Sequence, residues 1–256
     1  LRVGDWSPRN YDGHYRGAIP LRDAVAISSN SVAVQTSERV GRAAVIQAAR
    51  DLGITTPLRA DPSLPLGVNT VSLLELTSAY AGIASGRFPI RPYGLPEDAP
   101  SESEFRRDPQ HMAMLRDVMH AVVTRGTGRA ANLSVPTFGK TGTTSDYRDA
   151  LFVGFAGDLV VGVWVGNDDN TPLPGTTGGG VPARIWRAFM IEALGIHAAP
   201  AAPPVPLSQA DRSSVNEAEP TNTLAPEPQP PQPQIPEPLI PEGNAVTLPA
   251  PPRVEP

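Results

Sequence analysis

Phe138-Gly139-Lys140-Thr141-Gly142-Thr143-Thr144 is the stretch on which the prediction of the fold rests. It holds the only lysine of the chain, whereas the other twenty basic residues are arginines, so this lysine is hard to explain as a solubilising charge. Glycines stand on both sides of it, and two runs rich in Val, Phe and Trp follow. We therefore expect the stretch to form an anion-binding edge strand of an active site.

Each residue type in this stretch suits the recognition of a carboxylate. The ammonium group of Lys140 supplies positive potential, and the hydroxyls of Thr141 and Thr143 can donate charge-assisted hydrogen bonds. Because Gly142 has no side chain, a substrate backbone can approach the strand and pair with it. The N–H of Thr143 can point at a developing oxyanion. Taken alone, the same residues also fit a turn that enters a strand.

The chain before Pro136 has the pattern of helices, and the chain after it has the pattern of strands. Helices are predicted from residue 21 and at 40–52, 72–85, 109–124 and 183–194. Strands are predicted at 147–156 and 159–166, joined by the hairpin signal Gly157-Asp158. With Lys140 on a preceding strand, the sequence predicts an antiparallel sheet of at least three strands.

Local signals mark where the helices begin and end. Ser28-Ser29-Asn30-Ser31 interrupts the first apolar pattern, and because Ser and Asn side chains compete for backbone groups, we expect a junction between two helices there. Ser72 and Glu75 form a capping box. The last helix is expected to cover one face of the sheet with its apolar residues, which are Ile185, Trp186, Phe189 and Met190.

Proline and negative charge are concentrated at the C-terminal end. Of the 31 prolines, 17 lie in residues 199–256, together with seven acidic residues and two arginines. The remaining body has 19 acidic and 19 basic residues, and this neutral balance gives no electrostatic case for nucleic-acid binding, for which a basic stripe would be expected. We predict a folded body, 1–197, followed by a disordered, acidic, proline-rich tail, 198–256.

Composition excludes several kinds of site. The chain has no cysteine, and its four histidines lack the spacing of metal ligands, so neither a metal site nor another cofactor is predicted. No stretch approaches the roughly 18 apolar residues of a membrane span, and none has the pattern of a signal peptide. Because the first residue is Leu rather than Met, we expect further sequence upstream of Leu1.

Motifs along residues 5–195 follow the order seen in one known family. Asn10-Tyr11-Asp12-Gly13 leads into Ser28-Ser29-Asn30, a Ser-x-Asn motif, and Gly139-Lys140-Thr141-Gly142 supplies a Lys-Thr-Gly motif. The other landmarks are Leu64-Pro65-Leu66-Gly67, Leu74-Glu75-Leu76-Thr77, Gly126-Thr127-Gly128, Phe152-Val153-Gly154-Phe155, Trp164-Val165-Gly166-Asn167 and Pro182-x-x-Ile185-Trp186. The chain thus resembles the transpeptidase domain of bifunctional (class A) penicillin-binding proteins.

The resemblance implies a fold and a set of roles. The fold would be that of serine β-lactamases and penicillin-binding proteins, of the α/β (α+β) class, with an antiparallel sheet packed with helices beside a helical subdomain. Ser28 and Lys140 would be catalytic, as members of the proton-relay network around the nucleophile. The residues assigned to substrate binding are Asn30, Thr141, Gly142 and Thr143. The asparagine would hold the peptide amide, and the threonines the terminal carboxylate of a D-Ala-D-Ala stem peptide or of a β-lactam.

The family's Ser-x-x-Lys motif, in which the serine attacks and the lysine is its base, has no counterpart here, because Lys140 is the only lysine. We therefore expect the C-terminal part of a transpeptidase domain, incomplete at its N-terminus and inactive alone. The nucleophile, a membrane anchor and any glycosyltransferase domain would precede Leu1. The whole protein would cross-link peptidoglycan at the periplasmic face of the inner membrane, in the bacterial cell envelope.

Two other functions fit the same motifs. A pseudo-transpeptidase would be a non-catalytic binding module, whose proline-rich tail docks a partner in cell-wall synthesis. A D,D-carboxypeptidase or β-lactamase relative would hydrolyse its substrate, although the landmarks around residues 10–17 and 168–186 favour the bifunctional branch. The sequence upstream of Leu1 separates enzyme from binding module, since an intact Ser-x-x-Lys motif would support the enzyme.

Overall fold

The computed structural model describes residues 1–101 and 106–196. The α-helices in these ranges are Leu21–Ala26 (α1), Asn30–Val40 (α2), Arg42–Asp51 (α3), Leu73–Ser85 (α4), Pro109–Arg125 (α5) and Val181–Ala193 (α6). The strands are Arg87–Phe88 (β1), Arg106–Arg107 (β2), Phe138–Thr143 (β3), Asp149–Ala156 (β4) and Leu159–Gly166 (β5). The predicted tail, 198–256, and the predicted boundary at residue 197 lie outside the described residues.

Strands β3, β4 and β5 form an antiparallel sheet in that order, so the strand that carries Lys140 lies at its edge. Lys140 is paired with Val153, and Thr141 with Phe152. The β4–β5 hairpin turns at Gly157, whose φ of +55° is one that glycine adopts without strain. The predicted sheet of three strands with an edge strand and a hairpin is therefore confirmed, while β1 and β2 form a separate short pair.

Apolar clusters cover both faces of this sheet. On one face, Phe152 packs edge-on against Trp186 of α6, with ring centroids 5.2 Å apart. On the other face, Phe155 stacks on Phe138 at 4.9 Å, next to apolar side chains of α4 and α5. Strand β3 is held at the sheet edge by its pairing with β4 and by the stacking of Phe138 on Phe155.

Helix α6 covers the sheet with only half of the apolar residues predicted to do so. Trp186 and Met190 are fully buried, and the indole N–H of Trp186 lies within hydrogen-bond distance of two carbonyls of the hairpin. Ile185 and Phe189 remain 47% and 53% exposed. Residues four apart share one stripe of a helix, so the first pair faces the sheet while the second pair, one position earlier, is rotated away from it.

The serine-rich segment is a junction between two helices, as predicted, since α1 ends at Ala26 and α2 begins at Asn30. The helix predicted at 40–52 begins later, at Arg42, because Gly41 adopts a φ of +94° and separates α2 from α3. Helices α2 and α3 contact each other, and α2 also packs on the 3₁₀ turn Leu64–Leu66. These elements form the helical part beside the sheet.

Side-chain caps define the beginnings of α4 and α5. The hydroxyl of Ser72 accepts from the N–H of Glu75 at 3.1 Å, and the Glu75 carboxylate accepts from the N–H of Ser72 at 3.4 Å, which is the predicted capping box. Asp108 caps α5 by accepting from the N–H of His111. Of the helices in the described ranges, none has both the length and the apolar character needed to cross a membrane.

Candidate active site

Ser28 takes the position after α1 that glycine usually occupies. Its N–H donates to the carbonyl of Val25, and the N–H of Ser29 donates to the carbonyl of Ala24, which is the Schellman arrangement of a helix end. This arrangement needs a left-handed residue, and Ser28 has a φ of +57°. A left-handed conformation costs a non-glycine residue roughly 1–2 kcal/mol, so the surrounding contacts must hold this serine in place.

Lys140 on the edge strand contacts this serine. Its Nζ donates to Ser28 Oγ at 2.7 Å and to the carbonyl of Thr141 at 3.0 Å. Burial lowers the pKa of Lys140 to about 8, because surroundings of low polarity disfavour the charged ammonium. The amine can therefore both donate and take up a proton within about a unit of neutral pH.

The N-terminal loop supports the Ser-x-Asn motif from its outer side. Asn30 Nδ2 donates to the carbonyl of Arg9 at 2.8 Å. Asn10 Oδ1 accepts from the N–H of Ser31 at 3.0 Å and from the hydroxyl of Ser29 at 3.3 Å. The bond to Arg9 holds the Asn30 side chain by its NH₂ group. Asn30 Oδ1 takes no part in that bond, and this is the atom that would accept from a substrate amide.

A cavity of about 630 Å³ lies between these two walls. It is lined by all six site residues predicted from the sequence, which are Ser28, Asn30, Lys140, Thr141, Gly142 and Thr143. Much of the remaining lining is apolar and comes from α1, α2 and the turn after Pro65. Among the described residues of the lining, Lys140 alone has a charged side chain, so the potential there favours an anionic ligand. In the described ranges, no three His, Cys, Asp or Glu side chains could hold a metal ion.

Both threonine hydroxyls of the edge strand have partners in the protein. Thr143 Oγ1 accepts from the N–H of Gly178 at 3.0 Å, and Thr141 Oγ1 lies 2.7 Å from Thr127 Oγ1. Sequence reasoning assigned no role to Thr127 or Gly178. The available signals were Gly126-Thr127-Gly128, one of the family's landmarks, and three consecutive glycines ahead of α6.

Gly178 and Gly179, the first two of three consecutive glycines, lie against the edge strand β3 and the turn after α5. A Cβ on Gly178 would stand 2.2 Å from the carbonyl oxygen of Leu151 and 2.4 Å from that of Gly142. A Cβ on Gly179 would stand 2.2 Å from the carbonyl oxygen of Thr127. Only glycine fits at these two positions without moving the strand or the turn. The backbone of the glycine loop therefore packs directly against the edge strand.

In this structure, helices cover an antiparallel sheet, and a lysine on its edge strand faces a Ser-x-Asn motif across a cavity. This combination of fold and site defines the class to which the protein belongs. The family model described as penicillin binding protein transpeptidase domain matches residues 2–191. The chain belongs to this family, and the resemblance drawn from its motifs is confirmed.

Curated relatives include penicillin-binding protein 1A of Aquifex aeolicus, which is 36% identical over 199 residues. That match covers 73% of this chain and 27% of the relative. Penicillin-binding protein 2D of Bacillus subtilis is 35% identical over 210 residues, with 74% of this chain and 30% of the relative covered. The chain therefore spans less than a third of the length of these relatives.

Solved structures agree with the fold. Penicillin-binding protein 1A from Haemophilus influenzae is similar with a TM-score of 0.64 and 22% identity, over 80% of this chain and 39% of that one. Penicillin-binding protein A from Mycobacterium tuberculosis, solved as an imipenem acyl-enzyme complex, is similar with a TM-score of 0.56 and 26% identity. That second match covers 72% of this chain and 51% of the other.

Proposed function

We propose that this site belongs to a serine-type D,D-transpeptidase that cross-links peptidoglycan stem peptides, and that β-lactams bind it as mimics of D-Ala-D-Ala. The observation that carries the proposal is the 2.7 Å contact between Lys140 Nζ and Ser28 Oγ inside the cavity. It places an amine and a hydroxyl beside an edge strand whose threonines suit a carboxylate. Membership of the transpeptidase family supports the same function.

The substrate is bound by groups on both walls in this proposal. The hydroxyls of Thr141 and Thr143 donate to its terminal carboxylate, and the charge of Lys140 adds attraction. Asn30 Oδ1 accepts from the peptide N–H. The N–H of Thr143 donates to the oxyanion that develops on the attacked carbonyl, a type of contact worth about 2.7–4 kcal/mol per donor.

The acylation step forms an ester and releases an amine. A serine hydroxyl oxygen bonds to the carbonyl carbon of the penultimate D-Ala, its proton passes to a base, and the terminal D-Ala leaves after its nitrogen gains a proton. Lys140 and Ser28 are suited to deliver a proton to the leaving nitrogen. The amine of Lys140 donates a hydrogen bond to the hydroxyl of Ser28, and the pKa of Lys140 is about 8. Residues 1–256 contain no Ser-x-x-Lys motif, and the proposal assigns nucleophile and base to sequence outside them.

The acyl ester then reacts with the amine of a second stem peptide, which forms the cross-link and frees the serine. A β-lactam would stop at the ester, because its leaving nitrogen stays attached to the opened ring. The imipenem acyl-enzyme of the M. tuberculosis relative supports this extension.

In the proposal, the protein works in the bacterial cell envelope at the periplasmic face of the inner membrane, and partner binding by the tail, 198–256, stays a prediction.

Labelling by a fluorescent penicillin tests this proposal. We expect the full-length gene product to form a covalent adduct that an excess of unlabelled benzylpenicillin prevents, and the 256-residue chain alone to form none. Labelling of the short chain would show that its nucleophile has been misassigned. Failure of the full-length protein to label would instead favour the non-catalytic binding module.

A further inference from the structure

The hydroxyl of Thr127, in the turn after α5, lies 2.7 Å from the hydroxyl of Thr141 on the edge strand. We propose that Thr127 is a positioning residue for carboxylate recognition. It donates its hydrogen to Thr141 Oγ1, and the hydrogen of Thr141 is thereby directed to the carboxylate of the substrate. The inference rests on the function proposed above and adds a residue to which that function assigned no role.

The chemistry of the ligand sets the direction of this hydrogen bond. Two hydroxyls that share one hydrogen bond have a single hydrogen left over, and without a ligand either threonine can be the donor. A carboxylate only accepts, so Thr141 can bind it only by pointing its hydrogen outward. Thr141 Oγ1 is then free to accept from Thr127. An O–H whose oxygen already accepts a hydrogen bond is polarised and becomes a better donor.

The same arrangement occurs at the neighbouring threonine of the strand. Thr143 Oγ1 accepts from the N–H of Gly178 at 3.0 Å, a direction that is fixed because a backbone N–H can only donate. Its remaining hydrogen is therefore available to the cavity. In this proposal, each threonine of the edge strand accepts one hydrogen bond from the protein. Thr143 accepts from the backbone N–H of Gly178, and Thr141 accepts from the hydroxyl of Thr127.

The position of Thr127 is itself fixed by its backbone. Its N–H donates to the carbonyl of Ala26 at the end of α1, at 3.0 Å, and its carbonyl oxygen lies against Gly179. The preceding residue, Gly126, is so close to Ala26 that a Cβ would stand 2.1 Å from the carbonyl oxygen of Ala26. Contacts on both sides therefore hold the backbone of Thr127 in place, and its hydroxyl lies beside that of Thr141.

The test compares the rates at which benzylpenicillin and its methyl ester acylate the full-length protein and its variants. Thr127→Val keeps the shape of the side chain but removes the donor, and we expect it to slow the reaction with the acid about five- to tenfold. The reaction with the ester should change less than twofold. Thr127→Ser, which keeps the hydroxyl, should stay within about twofold of the wild type for both. Thermal unfolding of each variant checks that the fold is retained.

A double-mutant cycle identifies the route through Thr141. Thr141→Val should slow the reaction with the acid on its own, and adding Thr127→Val to it should cause little further loss, because the second residue acts only through the first. Equal slowing of acid and ester, or losses that multiply in the double variant, would overturn the inference. If the wild-type protein reacts with neither compound, the proposed function fails and this inference fails with it.

Discussion

At the scale of single residues, Ser28 meets two demands that conflict. Its φ of +57° is the conformation that glycine adopts most easily, whereas its bond to Lys140 requires a hydroxyl-bearing side chain. Strained backbone of this kind is stored where the surroundings hold it and where function uses it. The outlier therefore supports the placement of Ser28 in the proposed proton relay.

Glycine and alanine at position 28 separate the two demands, since both remove the hydroxyl and only glycine relieves the backbone. We expect Ser28→Gly to be more stable than Ser28→Ala by about 1 kcal/mol. This difference is the free-energy cost of the left-handed conformation for alanine, minus the cost of ordering glycine, which has more freedom in the unfolded chain. Chemical unfolding measures this difference. Both variants should lose acylation by penicillin to a similar extent. A Ser28→Ala protein more stable than Ser28→Gly would contradict the assigned backbone conformation.

At the scale of secondary structure, one carboxylate joins the beginning of α4 to a preceding loop. Glu75 accepts from the hydroxyls of Thr55 and Thr56, each at 2.6 Å, and also from both of their backbone N–H groups. It completes the capping box with Ser72 as well. These hydrogen bonds, above all those from the two threonine hydroxyls, hold the pKa of Glu75 far below its usual range.

Replacing Glu75 with Gln should therefore destabilise the protein in a pH-dependent way. The lowered pKa means that the ionised form stabilises the fold at pH values above the unfolded pKa of about 4.3, and that this contribution is lost as the pH falls toward the folded value. We expect the unfolding temperature of Glu75→Gln to lie below that of the wild type at pH 7. The gap should narrow below about pH 4. A gap that is constant from pH 7 to pH 3 would exclude the carboxylate as its cause.

How well each element could be predicted depends on how local its cause is. The capping box of Ser72 and Glu75 lies within four consecutive residues, so the sequence alone locates the beginning of α4. The beginning of α3 was predicted two residues early, because a periodic apolar pattern does not show that Gly41 adopts a positive φ. In α6, periodicity identified the apolar residues but not which of them, such as Trp186, the sheet would cover.

At the scale of the whole molecule, the site is assembled from segments far apart in the chain. Lys140 and Ser28 are separated by 112 residues, and the sheet and α1 bring them together. Their motifs are short enough to be recognised in sequence, which is why six lining residues could be named in advance. Thr127 and Gly178 could not be assigned roles, because their contacts with the edge strand arise only when the turn and the glycine loop fold against it.

The central claim is that the pairing of Lys140 with Ser28 serves acyl transfer, and the acylation rate of Lys140→Ala in the full-length protein tests it most directly. Arg59→Ala is the matched control, because it removes an exposed cation from a loop outside the cavity lining. We predict that Lys140→Ala reacts with fluorescent penicillin at least about 100-fold more slowly than the wild type, as expected on losing a proton-transfer group, while its unfolding temperature changes little. Arg59→Ala should react at the wild-type rate. A folded Lys140→Ala protein acylated at the wild-type rate would contradict the account.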